Sequence, residues 1–224
     1  MNCLCCGKPL KDNGENIGWH KACIKRFFTT TVIPEIEITD LTLETLAEES
    51  INKGYTVPGV QKKLSLHLSK ETHPRLTVVN YPTGYILKPQ VKEYRALPEA
   101  EQLVMCMADK AGIATVPHAL VKSGDSYAYI TKRIDRVFAD KSRTQMLAME
   151  DFCQLDLRLT QDKYKGSYER CGKVIKQYSS ASGLDTTELF YRLVFSFIVG
   201  NSDMHLKNFS LIETETGSEK YHLS

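Results

Sequence analysis

The run Gly200-Asn201-Ser202-Asp203-Met204-His205-Leu206-Lys207-Asn208 sets an Asp and an Asn in the pattern Asp-x-x-x-x-Asn. This is the spacing of catalytic loops that transfer phosphoryl groups. The carboxylate accepts or orients the proton of an attacking hydroxyl, while the carboxamide oxygen holds a metal ion on the phosphates a few ångströms away. Asp203 and Asn208 fit those two roles, and Lys207 is placed to offset charge on the transferring group. Asp/Asn turns that only cap their neighbours share the spacing, so further residues are needed. Gly84-Tyr85-Ile86-Leu87-Lys88 puts a lysine at the end of an apolar strand, where a phosphate-pairing lysine belongs. The helix that follows offers Glu99 and Glu101 to hold it. Spacing does not choose between them, and an exposed strand-end lysine is the alternative.

A second constellation lies at the N-terminus. Cys3-x-x-Cys6 and His20-x-x-Cys23 are two close ligand pairs joined by a glycine-containing loop, the pattern of a structural zinc site. Residues 1–30 are polar with little periodicity and cannot bury much of a core, so such a segment needs a metal staple to order itself. Cys5 is a surplus thiol able to replace Cys3 or Cys6, and a Cys₃His set leaves no open position for catalysis. The alternative is a disordered or simply packed segment.

The elements that must position these residues are legible in outline. Alternation predicts a strand near 60–68, two short strands at 75–80 and 84–88 follow around the turn Tyr81-Pro82-Thr83-Gly84, and a helix covers 98–111 with Pro98 in its first turn and Gly112 past its end. Strands at 118–122 and 127–131 flank the turn Ser123-Gly124-Asp125. Beyond Arg136 the pattern turns helical, over 150–157, 168–177 and 186–199, before strands at 208–212 and 220–223. The acidic stretch 44–49 is read as a solvated helical face. The expected class is α+β: an antiparallel sheet lobe, then a partial helical lobe. The domains read as 1–30, 31–134 and 135–224.

At 224 residues, 42% hydrophobic and 25% charged, the chain has the composition of a globular protein. No apolar run approaches the ~20 residues of a membrane span, and no signal pattern opens the chain, so a cytoplasmic protein is expected. A net charge of +2 gives no reason to expect nucleic acid as the main ligand. Cys106, Cys153 and Cys171 read as small buried apolar residues.

Together these residues carry a resemblance. Thr56-Val57-Pro58-Gly59-Val60-Gln61-Lys62-Lys63, Ile86-Leu87-Lys88-Pro89, Glu99-Ala100-Glu101, Thr131-Lys132-Arg133-Ile134-Asp135-Arg136 and the run from Gly200 to Phe209 occur in the order seen in HipA-like serine/threonine kinases. These are toxins of bacterial toxin–antitoxin modules, and the chain is most similar to the compact HipT branch. The resemblance implies a two-lobed kinase fold using ATP and magnesium. It implies that Pro58, Gly59, Val60, Gln61, Lys62 and Lys63 form the loop near the nucleotide phosphates, with Lys88 on phosphate and Glu101 as its partner. Lys132, Arg133 and Ile134 would lie at the adenine side. Asp203 would be the catalytic base, and His205, Lys207 and Asn208 would line the phosphate and metal site. Thr56 stands where the family carries a regulatory phosphorylated serine; an ordinary strand-entry residue is the alternative. The implied partners are a protein substrate, with aminoacyl-tRNA synthetases as the class, and a helix-turn-helix antitoxin of the HipB type.

One part of the pattern is not met. Residues 209–224 contain no Asp, and Glu213, Glu215 and Glu219 cluster about a turn. The second metal-binding aspartate of such a kinase is expected just beyond Ser224, so little turnover is expected from these residues alone. The competing expectations are a non-catalytic nucleotide-binding or protein-interaction module and, third, a nucleic-acid adaptor.

Overall fold

A computed structural model describes residues 1–10, 18–36, 63–69, 73–77, 83–140 and 143–224. The chain forms two compact units, Met1–Met107 with Thr115–Arg133, and Ala108–Ala114 with Ile134–Ser224.

The first unit is built on a sheet of β1 (Glu35–Ile36), β2 (Leu64–Ser69), β3 (Arg75–Thr77), β4 (Tyr85–Pro89), β5 (His118–Ser123) and β6 (Ser126–Lys132), in the order β1-β3-β2-β4-β6-β5. All described pairings are antiparallel except the short β1–β3 pair, which is parallel. Alternation sends Tyr85 and Leu87 of β4 and Leu64 and Leu66 of β2 into the core. The β5–β6 hairpin closes through Gly124 at φ 57, a left-handed position glycine adopts at little cost. α2 (Leu97–Lys110) begins in this unit.

The first 30 residues depart from expectation. They bury Cys3, Trp19, Ile24, Phe27 and Phe28 in one core with Leu66, Leu87 and Ile130 of the sheet. α1 (Lys21–Phe28) brings Cys23, Ile24, Phe27 and Phe28 to one face, the i, i+1, i+4, i+5 stripe of a helix packed on a layer. Trp19, Phe27, Phe28 and Tyr85 then form an aromatic cluster with centroids 4.8–5.8 Å apart.

The second unit carries the hairpin β7 (Arg136–Asp140)–β8 (Arg143–Met146) and a three-stranded sheet of β9 (Met149–Asp151), β10 (Ser210–Glu213) and β11 (Tyr221–Leu223), in the order β11-β10-β9. Its helices are α3 (Phe152–Leu155), α4 (Tyr168–Tyr178) and α5 (Ser182–Ile198). The helix expected over 150–157 is therefore a strand that turns into a short helix. Residues 149–151 pair with β10, a partner some sixty positions away, and tertiary pairing overrides local periodicity. Asp151 then caps α3: its carboxylate accepts the Gln154 N–H at 3.0 Å while Gln154 Oε1 accepts the Asp151 N–H at 3.1 Å. α4 points Cys171, Val174 and Ile175 at Phe152, Leu189, Leu206, Phe209 and Leu211. α5 buries Leu189 and leaves Phe190, Tyr191, Phe197 and Ile198 exposed. Among the described residues no helix is long and apolar enough to cross a membrane.

Candidate functional site

In the first unit, β4 presents Lys88 and α2 answers with Glu101. The Lys88 ammonium pairs with Glu101 Oε1, and both side chains are only about a quarter exposed. Lys88 Nζ also lies 5.5 Å from the centre of the Tyr129 ring on the neighbouring β6, where the ring face attracts a cation. Glu99, the alternative left open by spacing, has Oε2 buried with no hydrogen-bond partner among the described residues. Two residues apart on a helix is about 200° of rotation, so only one of these carboxylates can face β4. Beside them His118 Nδ1 and Gln102 Oε1 are 2.8 Å apart and buried, tying α2 to the sheet one residue after Glu101.

Lys132 ends β6 and Arg133 follows it, with their N–H groups donating to the Pro117 and Gly84 carbonyls at 2.9 and 2.8 Å. Ile134 belongs to the second unit and is 38% exposed. Lys63 is exposed just before β2. Thr56, Pro58, Gly59, Val60, Gln61 and Lys62 lie outside the described residues.

In the second unit the 203–208 run connects the end of α5 to β10. The exposed Asp203 carboxylate accepts a hydrogen bond from Tyr164 Oη at 2.6 Å, and that bond raises the phenol pKa above its ordinary value. The His205 ring packs edge-on against Tyr164 at 5.0 Å. Burial, reinforced by the Lys163 charge, lowers the His205 pKa, so the imidazole is neutral at pH 7, and its Nδ1 is buried without a partner among the described residues. Asn208 Oδ1 accepts the His205 N–H at 2.9 Å. Lys207 Nζ is held by Asp151 Oδ2 at 2.5 Å, with Lys207 a quarter exposed. An anionic partner holds the charge expected to face phosphate.

Sequence reasoning missed Asp151 and Tyr164. Asp151 carried a readable signal, an Asp followed three residues on by Gln, which marks a capping box. What it does for Lys207 lay 56 positions away. Tyr164 carried no signal.

The N-terminal ligands also meet. Single donor atoms of Cys3, Cys6, His20 and Cys23 all lie within 4.8 Å of one another, a donor set that can hold a metal ion. Burial pushes the Cys3 thiol up, but N–H donors of Cys6, His20 and Cys5 outweigh it and bring its pKa to about 7. Cys5 is buried, which raises its thiol pKa against the pull of Arg26, and it stands outside this set.

Comparison with known proteins gives these geometries a context. The chain is 28% identical over 232 aligned residues to a protein named "Putative kinase" of Haemophilus influenzae, covering 95% of this chain and 64% of that protein. It is 31% identical over 169 residues to "Putative kinase Y4dM" of Sinorhizobium fredii, covering 70% of this chain and 41% of that protein. The chain thus spans less than two thirds of either relative. Its fold is similar to that of HipA in the Shewanella oneidensis MR-1 toxin–antitoxin complex with HipB and operator DNA, with a TM-score of 0.63 and 20% identity over 80% of this chain and 48% of that one. It is also similar to the Helicobacter pylori proinflammatory kinase CtkA, with a TM-score of 0.50 and 13% identity over 72% of this chain and 56% of that one. At such identities the likeness is one of fold, here the α+β kinase-like fold. Residues 55–224 match the HipA-like C-terminal domain, and the chain belongs to that family.

Proposed function

We propose that this chain carries the nucleotide and phosphoryl-transfer residues of a HipA-like serine/threonine kinase acting on a protein with ATP and magnesium. The observation that carries the reading is the Lys88–Glu101 pair: a lysine on a sheet strand held by a helix carboxylate is the device by which kinases present a cation to nucleotide phosphates. The oxygen donors of the 203–208 run suit magnesium, which takes oxygen ligands. In this reading Lys88 binds phosphate and Glu101 aims it. Asp203 accepts the proton of the substrate hydroxyl at its carboxylate, and Tyr164 orients that carboxylate. Asn208 offers its carboxamide oxygen to magnesium, which when bound neutralises phosphate charge. Neutral His205 and Lys207 line the same run, and Lys132, Arg133 and Ile134 serve the adenine side. Pro58, Gly59, Val60, Gln61, Lys62 and Lys63 cover the phosphates, and Thr56 is a site of regulatory phosphorylation.

The wider role follows the same family reasoning: a toxin whose substrate is an aminoacyl-tRNA synthetase and whose partner is a helix-turn-helix antitoxin. The support is membership of the HipA-like family and likeness in fold to a HipA solved with HipB.

Thermal unfolding with and without ATP and magnesium tests the reading, on the unaltered chain and on Lys88→Ala, Glu101→Gln and Asp203→Asn. Ligand at 100 times its Kd stabilises by about 2.7 kcal/mol. The unaltered chain and Asp203→Asn should both shift, Lys88→Ala should shift little, and Glu101→Gln should fall between. No shift of the unaltered chain at several-millimolar nucleotide, or an unchanged shift in Lys88→Ala, refutes the assignment.

A further inference from the structure

The cysteine–histidine cluster is separate from every residue used above. We propose that Cys3, Cys6, His20 and Cys23 bind one zinc ion, and that this ion is the structural staple that docks the N-terminal segment onto the sheet carrying Lys88.

The donor geometry points to zinc. Zn–S bonds of about 2.3 Å and Zn–N bonds of about 2.0 Å give a tetrahedron with S···N edges of about 3.5 Å and S···S edges of about 3.8 Å. Cys6 Sγ lies 3.4 Å and Cys23 Sγ 3.9 Å from His20 Nδ1, close to those edges. His20 Nε2 lies 3.2 Å from the Pro9 carbonyl oxygen. That oxygen can only accept, so Nε2 carries the proton and Nδ1 turns its lone pair to the two thiols. A ligating histidine held this way by a backbone carbonyl is the usual outer-shell arrangement of a zinc site. Three sulfurs and one imidazole close the coordination sphere, which makes the site structural. Gly7, at φ 69, takes the left-handed turn that brings its N–H back to the Cys3 carbonyl at 2.8 Å.

The coupling to the sheet is equally local. Cys3 and Cys23 are members of the core that contains Tyr85 and Leu87, the residues just before Lys88 on β4. The Leu120 N–H of β5 donates to the Leu4 carbonyl, one residue after Cys3, at 3.0 Å. Tyr85 Oη donates to the Phe27 carbonyl of α1 at 3.0 Å. α1 has eight residues, too few to persist alone in water. Its N-terminus follows directly on His20, so the ion would hold the helix start and the Cys3–Cys6 turn together.

The test uses the full chain purified without chelator, reconstituted with zinc alone and, separately, with cobalt(II). Elemental analysis should find one zinc per chain, and X-ray absorption should find three sulfurs and one nitrogen around it. The cobalt form should show thiolate charge-transfer and tetrahedral d–d bands. Trp19 is the only tryptophan and is buried in the aromatic cluster, so stripping the metal should red-shift its emission and adding zinc back should reverse the shift. Cys6→Ser should weaken zinc binding more than about 100-fold, the upper end for losing an outer-shell partner, whereas Cys5→Ser should keep the ion. No zinc on the reconstituted chain, or a first shell of four sulfurs, overturns the ligand set. Metal loss with Trp19 emission unchanged overturns the staple. Both are read on the unaltered chain, so a poorly folding Cys6→Ser does not blunt the test.

Discussion

Asp151 makes two separable contributions, and substitution can divide them. Its Oδ1 caps α3 by accepting the Gln154 N–H at 3.0 Å, and its Oδ2 holds Lys207 at 2.5 Å. Losing a side-chain cap costs about 1 kcal/mol. Removing one partner of an ion pair costs about 3–5 kcal/mol when the pair is buried and about 0–1 kcal/mol when it is exposed. With Asp151 14% and Lys207 25% exposed, the pair falls between those limits, at about 1–2 kcal/mol. Asp151→Ala should therefore lower local stability by about 2–3 kcal/mol. Asp151→Asn keeps a capping oxygen, because Asn caps as well as Asp, and should cost only the ionic part, about 1–2 kcal/mol. Hydrogen exchange followed by mass spectrometry on peptides spanning 152–157 and 205–212 reads the opening free energy where the effect arises. A cycle with Lys207→Met isolates the pairwise term. The reasoning fails if Asn costs as much as Ala, since the cap then contributes nothing. It also fails if both variants stay within about 0.5 kcal/mol of the unaltered chain, the range of ordinary surface substitutions.

Two other sites in the second unit give further expectations. A Cβ added at Gly166 would meet Leu206 Cδ2, Cγ and Cδ1 at 2.8–2.9 Å, and Leu206 is buried, so Gly166→Ala should cost about 1–3 kcal/mol by overpacking. Denaturant unfolding checks it, and a neutral result would mean Leu206 repacks freely. Asp156 is buried between Arg158 and Arg170. The Arg170 bond, helped by Arg158 against the opposing effect of burial, lowers its pKa. A depressed folded value means its stabilisation is complete above the ordinary Asp pKa of about 3.9 and is lost as pH falls through the folded value. Asp156→Asn should cost about 1–3 kcal/mol at neutral pH, below the figure for fully buried pairs because both arginines are partly exposed. Its penalty should shrink in melts below about pH 4, and an undiminished penalty there would refute the electrostatic account.

Much of this protein was readable without coordinates, because the informative features were local. Asp203, His205 and Asn208 share one short run, and the candidate metal-ligand pairs Cys3/Cys6 and His20/Cys23 each span four residues. The turn signal Tyr81-Pro82-Thr83-Gly84 and the apolar run before Lys88 located β4, and Pro98 and Gly112 bracketed α2 to within two residues. The tertiary structure decided everything that joins distant residues. Which glutamate meets Lys88 depends on the rotation at which α2 docks, a property of the packed face and not of spacing. Residues 149–151 are a strand because β10 lies beside them. Tyr164 reaches Asp203 across 39 positions, and no periodicity encodes such a meeting. The first 30 residues read as too polar for a core when their own apolar content was weighed, yet Trp19, Ile24, Phe27 and Phe28 are buried on the sheet. Composition reports how much apolar surface a segment owns, while burial depends on what the rest of the chain offers to cover it.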